Sequence, residues 1–268
     1  MFDSIIRSTI NEADNISDDF ANCYKDNQGL YVCNVCGRKR QLILSNRTVR
    51  CLCQCEVDAD NEEREKQCLQ ERIRRNIRRG VTERRYSDYR FENDKGYNPK
   101  VFAICSRYVE KFAEMKANNI GVLFYGDVGT GKTFYACCIG NALLQKGVRV
   151  LMTTLPKLVN DRVQAIKTGK SPVNLNSYDV LVLDDFGVEN ATQTAYQIIN
   201  EWYCTEKPLI ITTNLSPHEL KNAADIEHSR IYDRVIEMCG TLPILVNGEQ
   251  LRYKSSRQRR SIAAALLE

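Results

Sequence analysis

The chain has no long apolar run. The longest stretches, such as VLVL at 180–183, fall far short of the ~20 residues that a membrane-spanning helix needs. Its start, MFDSIIRSTINEADN, lacks a basic lead, an apolar core and a small-residue cleavage site, so no secretory signal is expected. No internal repeat and no low-complexity tract is present. A large excess of either charge sign is also lacking, because 38 basic residues against 34 acidic ones leave a net charge of only +4. These absences point to a cytoplasmic protein with no membrane partner. Disulfides are rare in such a compartment, so the 12 cysteines need another explanation.

Cys105, Cys137, Cys138, Cys204 and Cys239 sit among apolar residues and are expected to be buried free thiols, which pack as small hydrophobes. The others cluster. YVCNVCG holds Cys33 and Cys36, and VRCLCQCEV holds Cys51, Cys53 and Cys55. On a strand, alternate positions share one face, and three thiols along one edge make poor core material. C-x2-C, fourteen residues, then C-x-C-x-C is instead the layout of a small zinc module. Zn²⁺ takes four thiolates in a tetrahedron. Cys33 and Cys36 supply one pair, and the second pair is open among Cys51, Cys53 and Cys55. A segment this short, with few large apolar groups, needs such a staple to fold.

The 268 residues suit one domain of about 150–200 residues plus something small. The reading divides them into residues 1–58, a zinc-binding N-terminal domain; 59–90, a charged helical linker; and 91–268, the main domain. Ile5, Ile6, Ile10 and Ile16 suggest a short helix at the start. Residues 59–85 contain no proline and are rich in Glu, Arg and Gln; they read as a charged helix, interrupted by Gly80, that connects rather than packs. The positive excess is concentrated there, in Arg72, Arg74, Arg75, Arg78, Arg79, Arg84 and Arg85. That is either a solvated face or a contact for phosphate or an acidic partner. From about Phe91 apolar strands alternate with helical patterns. Strands at 121–126, 148–154, 178–185, 207–214 and 242–247, with helices between them, predict a parallel sheet flanked by crossover helices.

GDVGTGKT at 126–133 satisfies G-x-x-x-x-G-K-[ST] after a strand and before a helix, the setting a phosphate loop requires. Gly126, Gly129 and Gly131 permit a tight backbone approach to phosphate, and the helix N-terminus faces the anion. Asp127, Val128, Thr130 and Phe134 complete the nucleotide-binding set. Lys132 is expected at the β- and γ-phosphates and Thr133 on Mg²⁺. In VLVLDDFG, Asp184 closes an apolar strand at the sheet's C-terminal edge. It is expected on the Mg²⁺ side, with Asp185 polarising the attacking water. Asn214, ending LIITTN, is placed to sense the γ-phosphate. Arg230 and Arg234 lie one turn apart in SRIYDRV, with Arg234 as a candidate arginine finger in trans, and Arg252 in LRYK as a phosphate contact in cis.

GVLFYGDVGTGKT, VLVLDDFG, PLIITTN, HSRIYDRV and LRYK, in this order over roughly residues 91–255, resemble the AAA+ ATPases. The chain looks most like the replicative helicase loaders of the DnaC/DnaI type, with the IstB-like ATPases as close relatives. The resemblance implies an α/β AAA+ fold with a reduced lid, since only 16 residues follow Arg252. It also implies ATP/ADP, Mg²⁺ and Zn²⁺ as cofactors, and weak, switch-like hydrolysis. The implied partners are a DnaB-type helicase gripped by the N-terminal domain, single-stranded DNA, and further copies of the chain in an AAA+ oligomer or helical assembly. By the same resemblance, Asp184 would be the metal-side acid, Asn214 the sensor, Arg234 the finger and Arg252 the second sensor. DNA would meet the helix near 155–170, where Lys157, Arg162, Lys167 and Lys170 are basic. One departure stands out, because most of the class carry Asp-Glu where this chain has Asp184-Asp185. Two rival readings remain, an IstB-like transposition regulator and a nucleotide-gated DNA-binding adaptor with little hydrolysis.

Overall fold

The computed structural model describes residues 22–44, 47–187, 193–222 and 225–248, with Phe20, Arg260 and Ala263 besides. The expected N-terminal helix and Arg252 lie outside the described residues. The chain divides into two compact units, Met1–Gln70 and Glu71–Glu268.

The first unit is built on two short hairpins. Strands β1 (Cys23–Lys25) and β2 (Tyr31–Cys33) pair antiparallel, as do β3 (Gln41–Leu44) and β4 (Arg47–Arg50). Helix α1 (Gln54–Gly80) then begins. It starts five residues earlier than the charge pattern predicts, so Cys55 lies in its first turn and VRCLCQCEV is not one continuous strand. Among the described residues of this unit, the buried hydrophobic side chains are only Leu30, Val32, Cys33 and Cys53.

The second unit is a five-stranded parallel sheet in the order β6-β7-β8-β5-β9. Its strands are β5 (Val122–Tyr125), β6 (Val150–Thr153), β7 (Val180–Phe186), β8 (Leu209–Thr213) and β9 (Pro243–Leu245). Helices α5 (Lys132–Gln145), α6 (Leu155–Thr168), α7 (Gln193–Tyr203) and α9 (Ile226–Cys239) follow successive strands, as the alternation predicts. Strand side chains alternate between faces, and both faces are apolar, as in sheets covered on each side. Val122, Phe124, Val180, Val182 and Ile210 face one core, while Leu123, Leu181, Leu183, Leu209 and Ile211 face the other. Short helices α2 (Arg84–Ser87), α4 (Phe112–Ala117) and α8 (Pro217–Lys221), and the longer α3 (Pro99–Glu110), complete the unit.

The end of the predicted connector packs against this unit. Ile77 and Val81 lie against the core, and Asn76 Nδ2 donates to the carbonyls of Gly147 (3.2 Å) and Val148 (3.4 Å). A Cβ on Gly80 would lie 1.8 Å from the Val150 carbonyl oxygen, so no larger residue fits. Val81 then bridges Met152 of β6, and Thr82 donates through both N–H (3.2 Å) and Oγ1 (2.8 Å) to the Met152 carbonyl. The segment thus covers the exposed edge of the sheet. Charge composition hid this role, since Ile73, Asn76, Ile77 and Gly80 form the inward stripe of a helix whose other positions over residues 72–80 are arginines. Among the described residues, no helix is long and apolar enough to cross a membrane.

Candidate functional site

The loop between β5 and α5 has the form its glycines predict. Gly126, Gly129 and Gly131 take φ values of 128°, 84° and 105°, a region that other residues rarely enter. A Cβ on Gly126 would also meet the Val246 carbonyl at 2.8 Å. Thr130 Oγ1 donates to the Asp127 carbonyl (2.9 Å) and pins the turn. Lys132 is buried at the first position of α5, and its ammonium donates to the carbonyls of Gly126 (2.8 Å) and Asp127 (2.7 Å). It therefore folds back along the loop, on the side where phosphate oxygens would lie. Val128 projects half-exposed from the loop tip, and Phe134 packs edge-on against Tyr89 and Tyr135.

Asp184 is almost completely buried at the C-terminal end of β7. Thr133 Oγ1 and Thr212 Oγ1 both donate to its Oδ1, each at 2.7 Å. Tyr86 donates to Oδ2 at 3.2 Å, and the Arg85 guanidinium lies 3.6 Å from the same oxygen. Thr133 and Asp184, far apart in sequence, are thus in direct contact. Hard oxygen donors of this kind suit Mg²⁺; the residues that would hold it are Thr133 and Asp184. The ion would supply charge neutralisation of the phosphates and polarise the bond to be broken.

Asp185 points to solvent. It has a φ of 54°, a left-handed conformation that Asp tolerates better than most residues but that still costs about 1–3 kcal/mol. The cause is a bulge: Leu183 pairs with Ile211 and Phe186 with Thr213, so two residues of β7 oppose one of β8. The Asp185 N–H donates to Thr212 Oγ1 at 2.9 Å. The bulge turns adjacent acids in different directions, one buried on the threonines and one free for water. Asn214 is exposed at the end of β8. Because β8 lies between β7 and β5, Asn214 sits at the sheet edge between Asp184 and the phosphate loop.

The two arginines of α9 differ. Arg234 is engaged within its own unit: Nε donates to Asn200 Oδ1 (3.0 Å), and its two terminal nitrogens donate to the Arg230 carbonyl (3.0 Å) and the Tyr196 hydroxyl (2.9 Å). Its guanidinium also lies over the rings of Tyr196 and Tyr203. Arg230, one turn earlier, is exposed. Of the basic residues on and after α6, Lys157 donates to the Thr82 carbonyl (2.8 Å) and Arg162 pairs with Glu201. Lys167 and Lys170 are exposed.

In the first unit, the Sγ atoms of Cys33, Cys36, Cys53 and Cys55 all lie within 4.8 Å of one another. A zinc tetrahedron with Zn–S of about 2.3 Å has edges of roughly 3.8 Å, so the donor set fits. Cys51 is not among the four; its thiol lies 3.8 Å from the Val49 carbonyl. Gly37, with a φ of 68°, closes the first thiol turn and donates to the Cys33 carbonyl (3.0 Å). Backbone N–H groups of Arg38 and Cys55 bond the Cys36 sulfur, the former being the main reason its thiol is pulled down to about 6. The hydrogen bond with Cys36 is the main reason the Cys55 thiol is pushed up to about 12. Four thiols this close resist ionising together without a cation. Glu56 braces the cluster, pairing with Arg40 and Arg50 and accepting from the Cys53 N–H (3.2 Å). Of the five cysteines expected to pack as buried thiols, Cys105, Cys137, Cys138 and Cys239 do so; Cys204 is exposed.

Three residues around Asp184 were not anticipated. Thr212 was findable: it shares the parity of Ile210 on β8, as Asp184 shares that of Val182 on β7, so the two must meet on one face. Arg85 and Tyr86 carried no signal beyond an aromatic within a charged run.

A five-stranded parallel sheet in this order, with a phosphate-loop motif after β5 and a buried acid near the end of β7, has the AAA+ fold of the P-loop proteins. Residues 50–259 match the family described as IstB-like ATP binding protein, and the chain belongs to that family. Among curated relatives it is 28% identical over 163 residues to the replicative helicase loader DnaC of Buchnera aphidicola subsp. Schizaphis graminum, covering 56% of this chain and 62% of that protein. It is 25% identical over 150 residues to the replicative helicase loader DnaI of Bacillus subtilis, covering 50% and 48%. The chain thus spans between about half and two thirds of these relatives' lengths. The crystal structure of the DnaC helicase loader superposes with a TM-score of 0.52 at 22% identity, over 62% of this chain and 100% of that one, which shows the shared fold.

Proposed function

We propose that this chain is an ATP-dependent helicase loader. It would bind a DnaB-type replicative helicase through its N-terminal unit and help place it on single-stranded DNA, with weak ATP hydrolysis acting as a switch. The observation that carries the nucleotide part is the 2.7 Å contact between Thr133 and Asp184 beside the phosphate loop. The loader part is supported by similarity to proteins named as replicative helicase loaders. Zn²⁺ on Cys33, Cys36, Cys53 and Cys55 would shape the helicase-binding unit.

In this reading Lys132 and the loop N–H groups hold the β- and γ-phosphates, and Thr133 and Asp184 hold Mg²⁺. Asp185 orients the attacking water, with its carboxylate one methylene shorter than the glutamate common in the class, which suits slow turnover. Asn214 bonds the γ-phosphate. The finger offered to a neighbouring copy is Arg230 rather than Arg234, whose nitrogens are already bonded within α7 and α9. For DNA we favour the arginine face of α1 over residues 155–170, because Lys157 and Arg162 are occupied. Arg72, Arg74, Arg75, Arg78 and Arg79 are exposed, and none is ion-paired among the described residues. Like charges three and four apart disfavour a helix by a few tenths of a kcal/mol per pair, and a phosphate backbone would relieve that cost.

The test is co-purification with a DnaB-type helicase at varied nucleotide. Lys132→Ala should abolish ATP binding, and retention of ATP by that variant would refute the nucleotide assignment. The match to IstB-like proteins supports one second reading, a transposition regulator. Binding to a transposase and duplex DNA, with no helicase retained, would establish it instead.

A further inference from the structure

Asp184 is a nearly buried carboxylate, and a buried charge requires compensation. Among the described residues its one ion pair is with Arg85. Arg85 is not a loose surface side chain. On one side, Thr82 is bonded to Met152 of β6 and its carbonyl accepts from Lys157. On the other, Asn141 Nδ2 of α5 donates to the carbonyls of Tyr86 (2.6 Å) and Tyr89 (2.7 Å). The Tyr86 ring is fully buried and its hydroxyl faces Asp184. The Arg85 guanidinium lies over that ring, with Nε donating to Glu83 Oε2 (2.7 Å). Backbone anchors and a buried ring thus aim one cation at the carboxylate that the metal also needs.

We propose that Arg85 is a built-in counter-cation of the nucleotide site. It neutralises Asp184 in the chain without nucleotide, and Mg²⁺ arriving with nucleotide must displace it. Tyr86 is a positioning residue that holds the carboxylate through the exchange. The inference rests on the reading of Thr133 and Asp184 as the Mg²⁺ ligands. Its consequence is regulatory, because this ion pair helps set the Mg²⁺ concentration at which the site fills. Arg85 faces Oδ2 and Thr133 faces Oδ1 of the same carboxylate, and one carboxylate cannot fully compensate both cations, since like charges at such separations repel strongly away from bulk water.

The test titrates Mg²⁺ against binding of a fluorescent non-hydrolysable ATP analogue, in wild type and Arg85→Gln. Arg85 is half-exposed, so the variant keeps the fold. Removing the competitor should lower the Mg²⁺ midpoint by about three- to fivefold, the range expected for a partly exposed ion pair. Affinity for the analogue in EDTA should not rise, because without Mg²⁺ there is no competition to relieve and Asp184 is left uncompensated near the phosphates. In wild type, tryptic cleavage after Arg85 should be faster with Mg²⁺ and analogue than with analogue in EDTA. An unchanged or raised midpoint in Arg85→Gln, or equal protection of Arg85 in both conditions, overturns the displacement. A wild-type chain that binds no analogue at any Mg²⁺ concentration refutes instead the nucleotide site itself, and this inference with it.

Discussion

The two units of this chain reach stability by opposite means. The second packs large apolar side chains on both faces of a five-stranded sheet, with Phe124, Trp202, Leu123 and Ile139 all fully buried. The first buries Leu30 and Val32 beside two thiols, and leaves Leu42, Ile43, Leu44 and Leu52 exposed. An apolar core stabilises in proportion to its area, and the first unit has little such area. Four convergent thiols are what it has instead. The comparison teaches that Cys33, Cys36, Cys53 and Cys55 are the first unit's substitute for a core, whereas Cys105, Cys137, Cys138 and Cys239 of the second unit are part of one.

Metal removal is the most severe test of that contrast. Structural zinc contributes roughly 10–16 kcal/mol to folding in small modules. Chelation, or Cys33→Ser, should therefore unfold the first unit, seen as loss of its protected amides in hydrogen exchange. Nucleotide binding by the second unit should survive. Loss of both together would show that the units do not fold independently.

The converse lesion belongs in the sheet. Phe124→Ala removes a fully buried ring from the strand that leads into the phosphate loop. It should cost about 3–5 kcal/mol, measured by denaturant unfolding of the second unit. Zinc stoichiometry should stay at one per chain, and a fall in it would break the contrast from the other side.

Much of the second unit was legible because its signals are local. Apolar runs of four to seven residues alternate with helical periodicity, and each strand appeared where VLFY, VLMT, VLVLDDF and LIITT stand. The phosphate loop was readable from its full motif, glycines, Lys132 and Thr133 together, and from its place between a strand and a helix. What escaped depends on contacts across long sequence separations. Tyr86 reaches Asp184 across 98 positions, and nothing in ERRYSDYR announces it. Gly80 looked like a helix breaker, yet it is a helix end pressed against β6. Arg234 looked free for a neighbouring subunit because Tyr196, Asn200 and Tyr203, which hold it, lie on a different helix. In the first unit the thiol spacing pointed to metal, but sequence left the ligand set open because the start of α1 decides which thiols converge.

A smaller effect is expected at the surface of the second unit. Asp179 accepts from Arg149 Nε (2.9 Å) and Lys116 (2.8 Å). Burial pushes its carboxyl up, but these hydrogen bonds outweigh burial and hold it well below the usual carboxylate range. A group with a depressed folded pKa stabilises above its unfolded pKa and loses that contribution as pH falls. Asp179→Asn should therefore cost about 1 kcal/mol at neutral pH, since both cations are largely exposed. The difference from wild type should shrink as pH drops below about 4. A difference that is constant from pH 7 to pH 3 would mean the carboxylate's charge is irrelevant.

The smallest effect should come from the cysteine that the zinc spacing could not distinguish. Cys51, Cys53 and Cys55 are equivalent by sequence, but the chain leaves β4 at Arg50 and enters α1 at Gln54. That change of geometry brings Cys53 and Cys55 to the side of Cys33 and Cys36, and leaves Cys51 near the Val49 carbonyl. The Cys51 N–H donates to the Arg40 carbonyl (2.8 Å), a contact that a serine backbone keeps. Cys51→Ser should then change stability by less than about 0.5 kcal/mol, within the range of surface substitutions, and leave zinc content intact. Cys53→Ser and Cys55→Ser should each lose the metal. If Cys51→Ser also releases zinc, the tetrahedron is built from a different set of thiols.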